Sequence, residues 1–280
     1  MEFINSIGNI AWLIGGLGNQ MFIIAAAYSS SRKNNYPLYF FKYLENEHNI
    51  NNFNYSETIF RYFGKYMCIE QSYKLQELIL SRGYKMYENL NPFDKYSIIN
   101  EPILFNNHFQ YYPTLKPYEN DIRRLFNSGL ESYRNKIKKE YTECLLEKSA
   151  FLHIRRGDYL KKQNYHPNIG LEYYEKAIEL LIDKVRYIYV FSDDNEWVNN
   201  QKLFINKKII LIDSVDELYT LSFMSLCTGG AICANSTFSW WGAFLGAYEK
   251  RNSVFVPRVW SKVYKTDGLY PEEWIKLYNE

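Results

Sequence analysis

From residue 150 onward the chain switches repeatedly between two hydrophobic periods. Ala150–Ile154 is a short, largely apolar run that reads as a buried strand. Leu171–Lys184 places Leu171, Tyr174, Ala177, Ile178, Leu181 and Ile182 at helical spacing. Tyr187–Phe191 reads as a strand, Asn195–Leu203 as a helix behind an Asp-rich turn, and Lys208–Ile212 as a strand. Asp216–Cys227 reads as a helix, with Asp216 and Glu217 favourable in its first turn. Ala231–Ala234 is a short strand, Phe238–Glu249 a helix, and Val254–Val256 a strand ending at Pro257. Strands alternating with helices of this length predict a parallel sheet covered on both faces.

The N-terminal half begins in the same way. Ile10–Ile14 is a strand, Gly15–Asn19 a glycine turn, Gln20–Lys33 a helix and Leu38–Phe41 a strand. From about Glu45 to Tyr141 the pattern is less regular and reads as mostly helical, ending in a polar helix over Asp121–Tyr141. With a boundary near residue 145, the simplest architecture is two α/β halves, 1–145 and 146–280, facing each other across a cleft.

Composition narrows the function. The 280 residues are 47% apolar, enough for a real core, and the net charge is +2 with no long basic block, which argues against a nucleic-acid binder. Cys68, Cys144, Cys227 and Cys233 form no CxxC and no metal spacing, so a reduced, cytoplasmic setting is expected rather than a disulfide framework. The apolar run Ile10–Tyr28 is interrupted by Gly15, Gly16, Gly18, Asn19 and Gln20, unlike a membrane span. The expectation is a protein with no integral membrane segment, compatible with peripheral membrane association.

Ligands of open parallel sheets bind at the carboxyl ends of strands. Four unusual clusters fall there: Gly15-Gly16-Leu17-Gly18-Asn19-Gln20, His153-Ile154-Arg155-Arg156-Gly157-Asp158, Ser192-Asp193-Asp194 and Asn235-Ser236-Thr237-Phe238-Ser239. Two adjacent arginines offer forked N–H donors that match phosphate geometry, so a diphosphate is the indicated guest; a surface pair bound to Asp158 is the plain alternative. The glycine turn admits close backbone approach. It is neither a dinucleotide fingerprint, since Met21 takes the third glycine position, nor a P-loop. The Asn-Ser-Thr segment opens a helix, where hydroxyls cap it or hold phosphate. Asp193 and Asp194 read as a helix cap or as ribose or base contacts, and Trp240-Trp241 as core.

Together, Gly15-Gly16-Leu17-Gly18-Asn19-Gln20-Met21-Phe22, His153-Ile154-Arg155-Arg156-Gly157-Asp158-Tyr159, Phe191-Ser192-Asp193-Asp194, Met224-Ser225-Leu226-Cys227 and Ala234-Asn235-Ser236-Thr237-Phe238-Ser239-Trp240-Trp241-Gly242-Ala243 resemble the family 11 glycosyltransferases, the α-1,2-fucosyltransferases. The motifs follow the family's order; residues 45–145 carry little of the likeness. The resemblance implies a GT-B fold with the nucleotide sugar in the C-terminal half and the acceptor on the N-terminal side. It implies GDP-β-L-fucose as donor substrate, inversion at the anomeric carbon, an oligosaccharide or glycolipid acceptor (typically a β-galactoside hydroxyl), and no metal or other cofactor. By the same resemblance Arg155 grips the pyrophosphate with Arg156 nearby. Ser236, Thr237 and Ser239, with local amides, complete the cradle, and Gly16, Gly18 and Asn235 are further candidates for binding the nucleotide sugar. His153 is the guanine-contact candidate, Asn19 reaches the phosphate–fucose region, and Asp193, Asp194 or Asp216 holds guanine or ribose. Asp158 and His166 are candidates for the general base.

The chain departs from the family at Thr228-Gly229-Gly230, at Ile23-Ile24 and at His166-Pro167, which leaves acceptor and linkage open. Another GT-B enzyme with a different donor or linkage, or a non-catalytic sugar-nucleotide-binding module, remain alternatives.

Overall fold

The structure is a computed structural model describing residues 8–42, 55–66, 77, 81, 83–87, 91–142, 146–213, 216–246 and 253–279. The chain divides into two compact units, Met1–Gly129 with Asp267–Tyr270, and Leu130–Thr266 with Pro271–Glu280. The residues around the boundary expected near 145 (143–145) lie outside the described ones.

The first unit holds a parallel sheet of β1 (Asn9–Leu13), β2 (Leu38–Lys42), β3 (Lys65–Tyr66), β4 (Lys85–Tyr87) and β5 (Ile103–Phe105), in the order β3-β2-β1-β5-β4. Helix α1 (Leu17–Asn34) follows β1 and is buried along most of its length, which is why its apolar residues show no one-sided stripe. Buried Asn9 ties the layers: its Nδ2 donates to Ser31 Oγ at 3.1 Å and its Oδ1 accepts from the Ile103 amide at 3.1 Å. The region expected to be mostly helical supplies three strands of the sheet. They are two or three residues long and too short to carry a readable alternation. The single polar helix expected over Asp121–Tyr141 is two. Between α2 (Tyr112–Leu115) and the unit's end lies α3 (Glu119–Gly129), and α4 (Glu131–Glu140) already belongs to the second unit.

The second unit has six parallel strands, β6 (Ala150–Ile154), β7 (Ile188–Ser192), β8 (Ile209–Leu211), β9 (Gly230–Ile232), β10 (Val254–Pro257) and β11 (Ile275–Leu277), in the order β11-β10-β9-β6-β7-β8. Counted within the unit this is 6-5-4-1-2-3, the dinucleotide-fold order. Its helices are α5 (Leu171–Leu181), α6 (Asn195–Asn199), α7 (Glu217–Leu226) and α8 (Thr237–Leu245), close to the sequence expectation. The expected extension of α8 through 249 falls outside the described residues.

Side chains of a strand alternate between faces, and both faces here are apolar. Ala150, Leu152 and Ile154 join Tyr174, Ala177, Ile178 and Leu181 of α5 in one core. Tyr189 and Phe191 point the other way, onto Phe223 of α7 at ring distances of 4.9 and 5.3 Å. Trp240 and Trp241 are fully buried, Trp240 stacking on Phe244 at 5.0 Å, so both are core as expected. Cys227 and Cys233 are buried free thiols; Cys68 and Cys144 lie outside the described residues. No described helix is long and apolar enough to cross a membrane.

Candidate functional site

In the second unit the strand order turns between β6 and β9. The helix after β6 covers one face and α8, after β9, the other, so the loops leaving these neighbouring strands diverge at their carboxyl ends. These loops carry Arg155–Asp158 and Asn235–Thr237. They are stitched together by Tyr159, whose hydroxyl donates to the Asn235 carbonyl at 3.1 Å.

Arg155 lies between two carboxylates. Its Nη2 meets Asp158 Oδ1 at 2.6 Å and its Nη1 meets Asp193 Oδ2 at 2.9 Å. Burial works against its charge, but Asp193 and Asp158 outweigh that and hold its pKa above the ordinary arginine value. A guanidinium has five N–H groups, and among the described residues these two carboxylates take one each, so three are open to a ligand. Burial pushes the Asp158 carboxyl up. Arg155, and then Lys162 at 3.4 Å, pull it further down, leaving it below the usual carboxylate range and a weak proton acceptor. Arg156 is fixed separately: Nε to Asp194 Oδ2 at 3.0 Å, with the guanidinium 4.1 Å from the Trp197 ring centroid.

Asp193 also accepts the Arg156 backbone N–H through Oδ1 at 2.8 Å. The loop can approach this closely because residue 157 is glycine: a Cβ there would sit 2.6 Å from Asp193 Oδ2. Of the three aspartates considered for guanine or ribose, Asp193 is therefore occupied by the arginine loop. Asp194 caps α6 by accepting the Trp197 amide at 3.0 Å while pairing with Arg156. Asp216 caps α7, accepting from the Leu218 and Tyr219 amides at 2.9 and 3.0 Å.

His153 has the same strand parity as Phe151 and faces α8, its ring 5.7 Å from Phe238. It is 6% exposed, and burial followed by the charge of Arg155 lowers its pKa to about 3, so the imidazole is neutral. Its Nδ1 is buried without a hydrogen-bond partner among the described residues, as is Oδ1 of the fully buried Asn235. Asn235 Nδ2 is spent on the Pro167 and Trp260 carbonyls at 3.1 and 3.4 Å. Ser236 is the N-cap residue of α8, yet its side chain makes no capping bond; Thr237 follows, half-buried. Ser239 is turned inward, its Oγ donating to the Ala234 and Ser236 carbonyls at 3.2 and 3.1 Å, so it braces the turn rather than facing a ligand. His166 stacks on Tyr159 at 4.0 Å with a 5° tilt; burial lowers its pKa to about 4, Asp158 only partly opposing.

Arg155, Arg156, His153, Asp158, Asp193, Asp194, Asn235, Ser236 and Thr237 thus gather at the carboxyl ends of β6, β7 and β9, while Asp216 sits at the start of α7. The sequence assigns no separate role to Tyr159, Trp197 or Gly157: Tyr159 and Trp197 lie against the guanidinium groups of Arg155 and Arg156, and Gly157 lets their loop meet Asp193. An aromatic directly after Arg-Arg-Gly-Asp was the available signal. Among the described residues no group of three or more His, Cys, Asp or Glu side chains could hold a metal ion.

The first unit carries the glycine turn. Gly15 has φ 73°, the left-handed region that suits glycine. Gly16 is extended and half-buried, with no heavy atom within 4 Å of an added Cβ; Gly18 is buried in the first turn of α1. Asn19 Oδ1 accepts from Gln110 Nε2 at 3.1 Å, across 91 residues of sequence.

The sequence model of the family described as "Glycosyl transferase family 11" matches residues 10–277. An Escherichia coli protein described as "O-antigen biosynthesis glycosyltransferase WbnK" is 30% identical, covering 95% of this chain and 99% of its own. An Escherichia coli "Alpha-1,2-colitosyltransferase" is 28% identical, covering 96% of this chain and 98% of its own. Among solved structures, fucosyltransferase NodZ from Bradyrhizobium matches with a TM-score of 0.52 at 11% identity, over 86% of this chain and 94% of that one. The structure of NodZ alpha-1,6-fucosyltransferase soaked with GDP-fucose matches equally, 0.52 at 11% identity over 86% and 93%. At such identity the likeness speaks to the fold, α/β of the GT-B type.

Proposed function

The chain belongs to glycosyl transferase family 11, and from that premise we propose that it transfers L-fucose, or a close deoxy relative, from its GDP-activated form to a hydroxyl of a glycan, with inversion. The hydroxyl we favour is O2 of a β-galactoside. The observation that carries this reading is the pair of independently fixed guanidinium groups at the turning point of a dinucleotide-type sheet. Two cations held at one loop suit a diphosphate leaving group.

In the reaction the acceptor oxygen bonds to the anomeric carbon while the bond from that carbon to the β-phosphate oxygen breaks. The electron pair leaves with GDP. Negative charge grows on the β-phosphate, and the uncommitted N–H groups of Arg155 are assigned to it, with Arg156, Ser236, Thr237 and the first amides of α8 alongside. His153 and Asn235 each have a buried polar atom without a partner among the described residues, and we assign them to the nucleotide: His153 to guanine, and Asn235 Oδ1, an acceptor, to a ribose hydroxyl. Asp158 acts first as the counter-ion of Arg155. Its low proton affinity fits a dissociative path, in which the acceptor proton leaves late, to the departing diphosphate or to water. The cationic charge comes from arginine, so no metal is required in this reading.

A second donor is favoured by one observation: a relative is named a colitosyltransferase. Colitose is L-fucose lacking one ring hydroxyl, so the same diphosphate grip would serve both. The acceptor we propose is a bacterial-type surface polysaccharide unit, following the O-antigen relative.

The test is to offer purified protein GDP-fucose, GDP-colitose and GDP-mannose with a panel of β-galactosides, with and without EDTA, and to follow GDP release and product mass. Fucosyl or colitosyl product that survives EDTA is the expected outcome. Consumption of GDP-mannose alone would overturn the donor, and EDTA-sensitive transfer would overturn the metal-free mechanism.

A further inference from the structure

Two arms of the second unit have to close on one diphosphate: the arginine loop after β6 and the start of α8 after β9. The carboxylates on Arg155 do not set the distance between them. Asp158 belongs to the arginine loop itself, and Asp193 follows β7. Tyr159 does reach from one arm to the other, through its hydroxyl bond to the Asn235 carbonyl at 3.1 Å. Burial raises the Tyr159 phenol well above its ordinary pKa, Arg155 only partly opposing, so the hydroxyl stays protonated and donates.

The acceptor of that bond lies directly before Ser236, the N-cap residue of α8. In a trans peptide the C=O and N–H point in opposite directions from one plane. Fixing the Asn235 carbonyl therefore also fixes the direction of the Ser236 N–H. The ring of Tyr159 is held as firmly as its hydroxyl. The Arg155 guanidinium carbon lies 5.5 Å from the ring centroid, and His166 lies parallel to the ring at 4.0 Å. His166 is brought there by short turns: Lys162 N–H to the Tyr159 carbonyl at 3.0 Å and His166 N–H to the Lys162 carbonyl at 3.0 Å. The edge of the stack is closed by Tyr165, 4.6 Å from His166 and 5.6 Å from Tyr264. The Lys262 amide donates to the Tyr165 carbonyl at 2.9 Å and ties in the loop after β10.

We infer that Tyr159 is a positioning residue for transfer: its hydroxyl sets the spacing between Arg155 and the start of α8, and the His166 stack holds its ring in place. This rests on the transferase reading and concerns the diphosphate alone. The Asn235 side chain is held separately by the Pro167 and Trp260 carbonyls, so the ribose contact assigned to it should survive loss of the hydroxyl.

Tyr159→Phe keeps the ring and removes the hydroxyl. Calorimetric titration with GDP and with guanosine monophosphate, thermal unfolding, and steady-state kinetics with GDP-fucose test the inference on the intact protein. GDP affinity and kcat are each expected to fall about tenfold, the effect of about one hydrogen bond, while affinity for the monophosphate stays within about twofold. A merely structural role would lower both affinities together, and that result would overturn the inference, as would unchanged GDP affinity and kcat. The double variant with Arg155→Ala should fall no more than about twofold below Arg155→Ala; full additivity would also overturn it. Should Tyr159→Phe fail to fold, His166 carries the test. His166→Ala should show a weaker form of the same selective loss, and His166→Phe, which restores a flat ring, should recover it. An equal loss in both would give His166 a chemical role and overturn the stack as a positioning device. A wild type that neither binds GDP nor consumes any donor would sink the transferase reading itself, whereas an active wild type with an unaffected Tyr159→Phe would sink only this assignment.

Discussion

Replacing Asp193 by Asn keeps the shape of a side chain and removes the charge that faces Arg155. In the native arrangement Asp193 Oδ2 lies 2.9 Å from Arg155 Nη1, and Oδ1 accepts the Arg156 amide at 2.8 Å. Asn can keep the second bond, but its NH2 then confronts an arginine N–H. A charge-assisted hydrogen bond is worth roughly 1.5–3 kcal/mol. Arg155 is 35% and Asp193 25% exposed, so solvent screening brings the expected loss to about 1–2 kcal/mol. For a chain of this size that is a fall in Tm of about 3–6 °C. The effect on turnover should be larger, about 100-fold in kcat, because Arg155 loses one of two anchors and a misplacement of about 1 Å at a reacting group costs that much. The assay is GDP release at saturating donor and acceptor, beside thermal unfolding, for Asp193→Asn, Arg155→Ala and the double variant. If Asp193 acts through Arg155, the double variant falls no more than about twofold below Arg155→Ala. A kcat within about twofold of wild type for Asp193→Asn, or full additivity in the double variant, would refute the reasoning.

Gly157→Ala should reproduce the Asp193→Asn phenotype, since its Cβ would fall 2.6 Å from Asp193 Oδ2; normal kinetics would mean the loop simply shifts. Gly15→Ala, at φ 73°, should cost about 1–2 kcal/mol in chemical denaturation, whereas Gly16→Ala should leave stability unchanged and lower transfer, if the open space beside it admits a ligand. His153 and His166 have folded-state pKa values of about 3 and about 4, below the unfolded value near 6.5. Folding therefore favours their neutral forms. The associated stability is fully present above pH ~6.5 and is lost as pH falls towards 3, by up to about 1.4 kcal/mol per pH unit per histidine, less for half-buried His166. Unfolding followed from pH 7.5 to 5 should show this slope, and His166→Phe should flatten it; an unchanged slope in that variant would count against the assignment. Trp241→Ala should destabilise by about 3–5 kcal/mol, because the ring is fully buried; a smaller loss would show that the core closes over the gap.

What the sequence determined by itself was local in origin. The second unit's β6, β7, β8 and β10 and helices α5, α7 and α8 were legible because periods of 2 and 3.6 are written residue by residue, and a strand buried on both faces has to be an apolar run. The Arg155–Asp158 and Asn235–Thr237 clusters were legible for a related reason: polar groups breaking an apolar run mark the end of a strand. Tertiary structure alone decided what depends on distant partners. β3, β4, β5 and β11 are two or three residues long and become strands only through their neighbours' hydrogen bonds. The three aspartates weighed as ligand contacts were indistinguishable in sequence. Folding made Asp216 a helix cap, gave Asp194 both a cap and Arg156, and set Asp193 against a loop 37 residues away. The pairing of Asn19 with Gln110 spans 91 residues and left no local trace at all. Periodicity encodes which face of an element is buried; the partner met at that face is fixed only when the sheet order is.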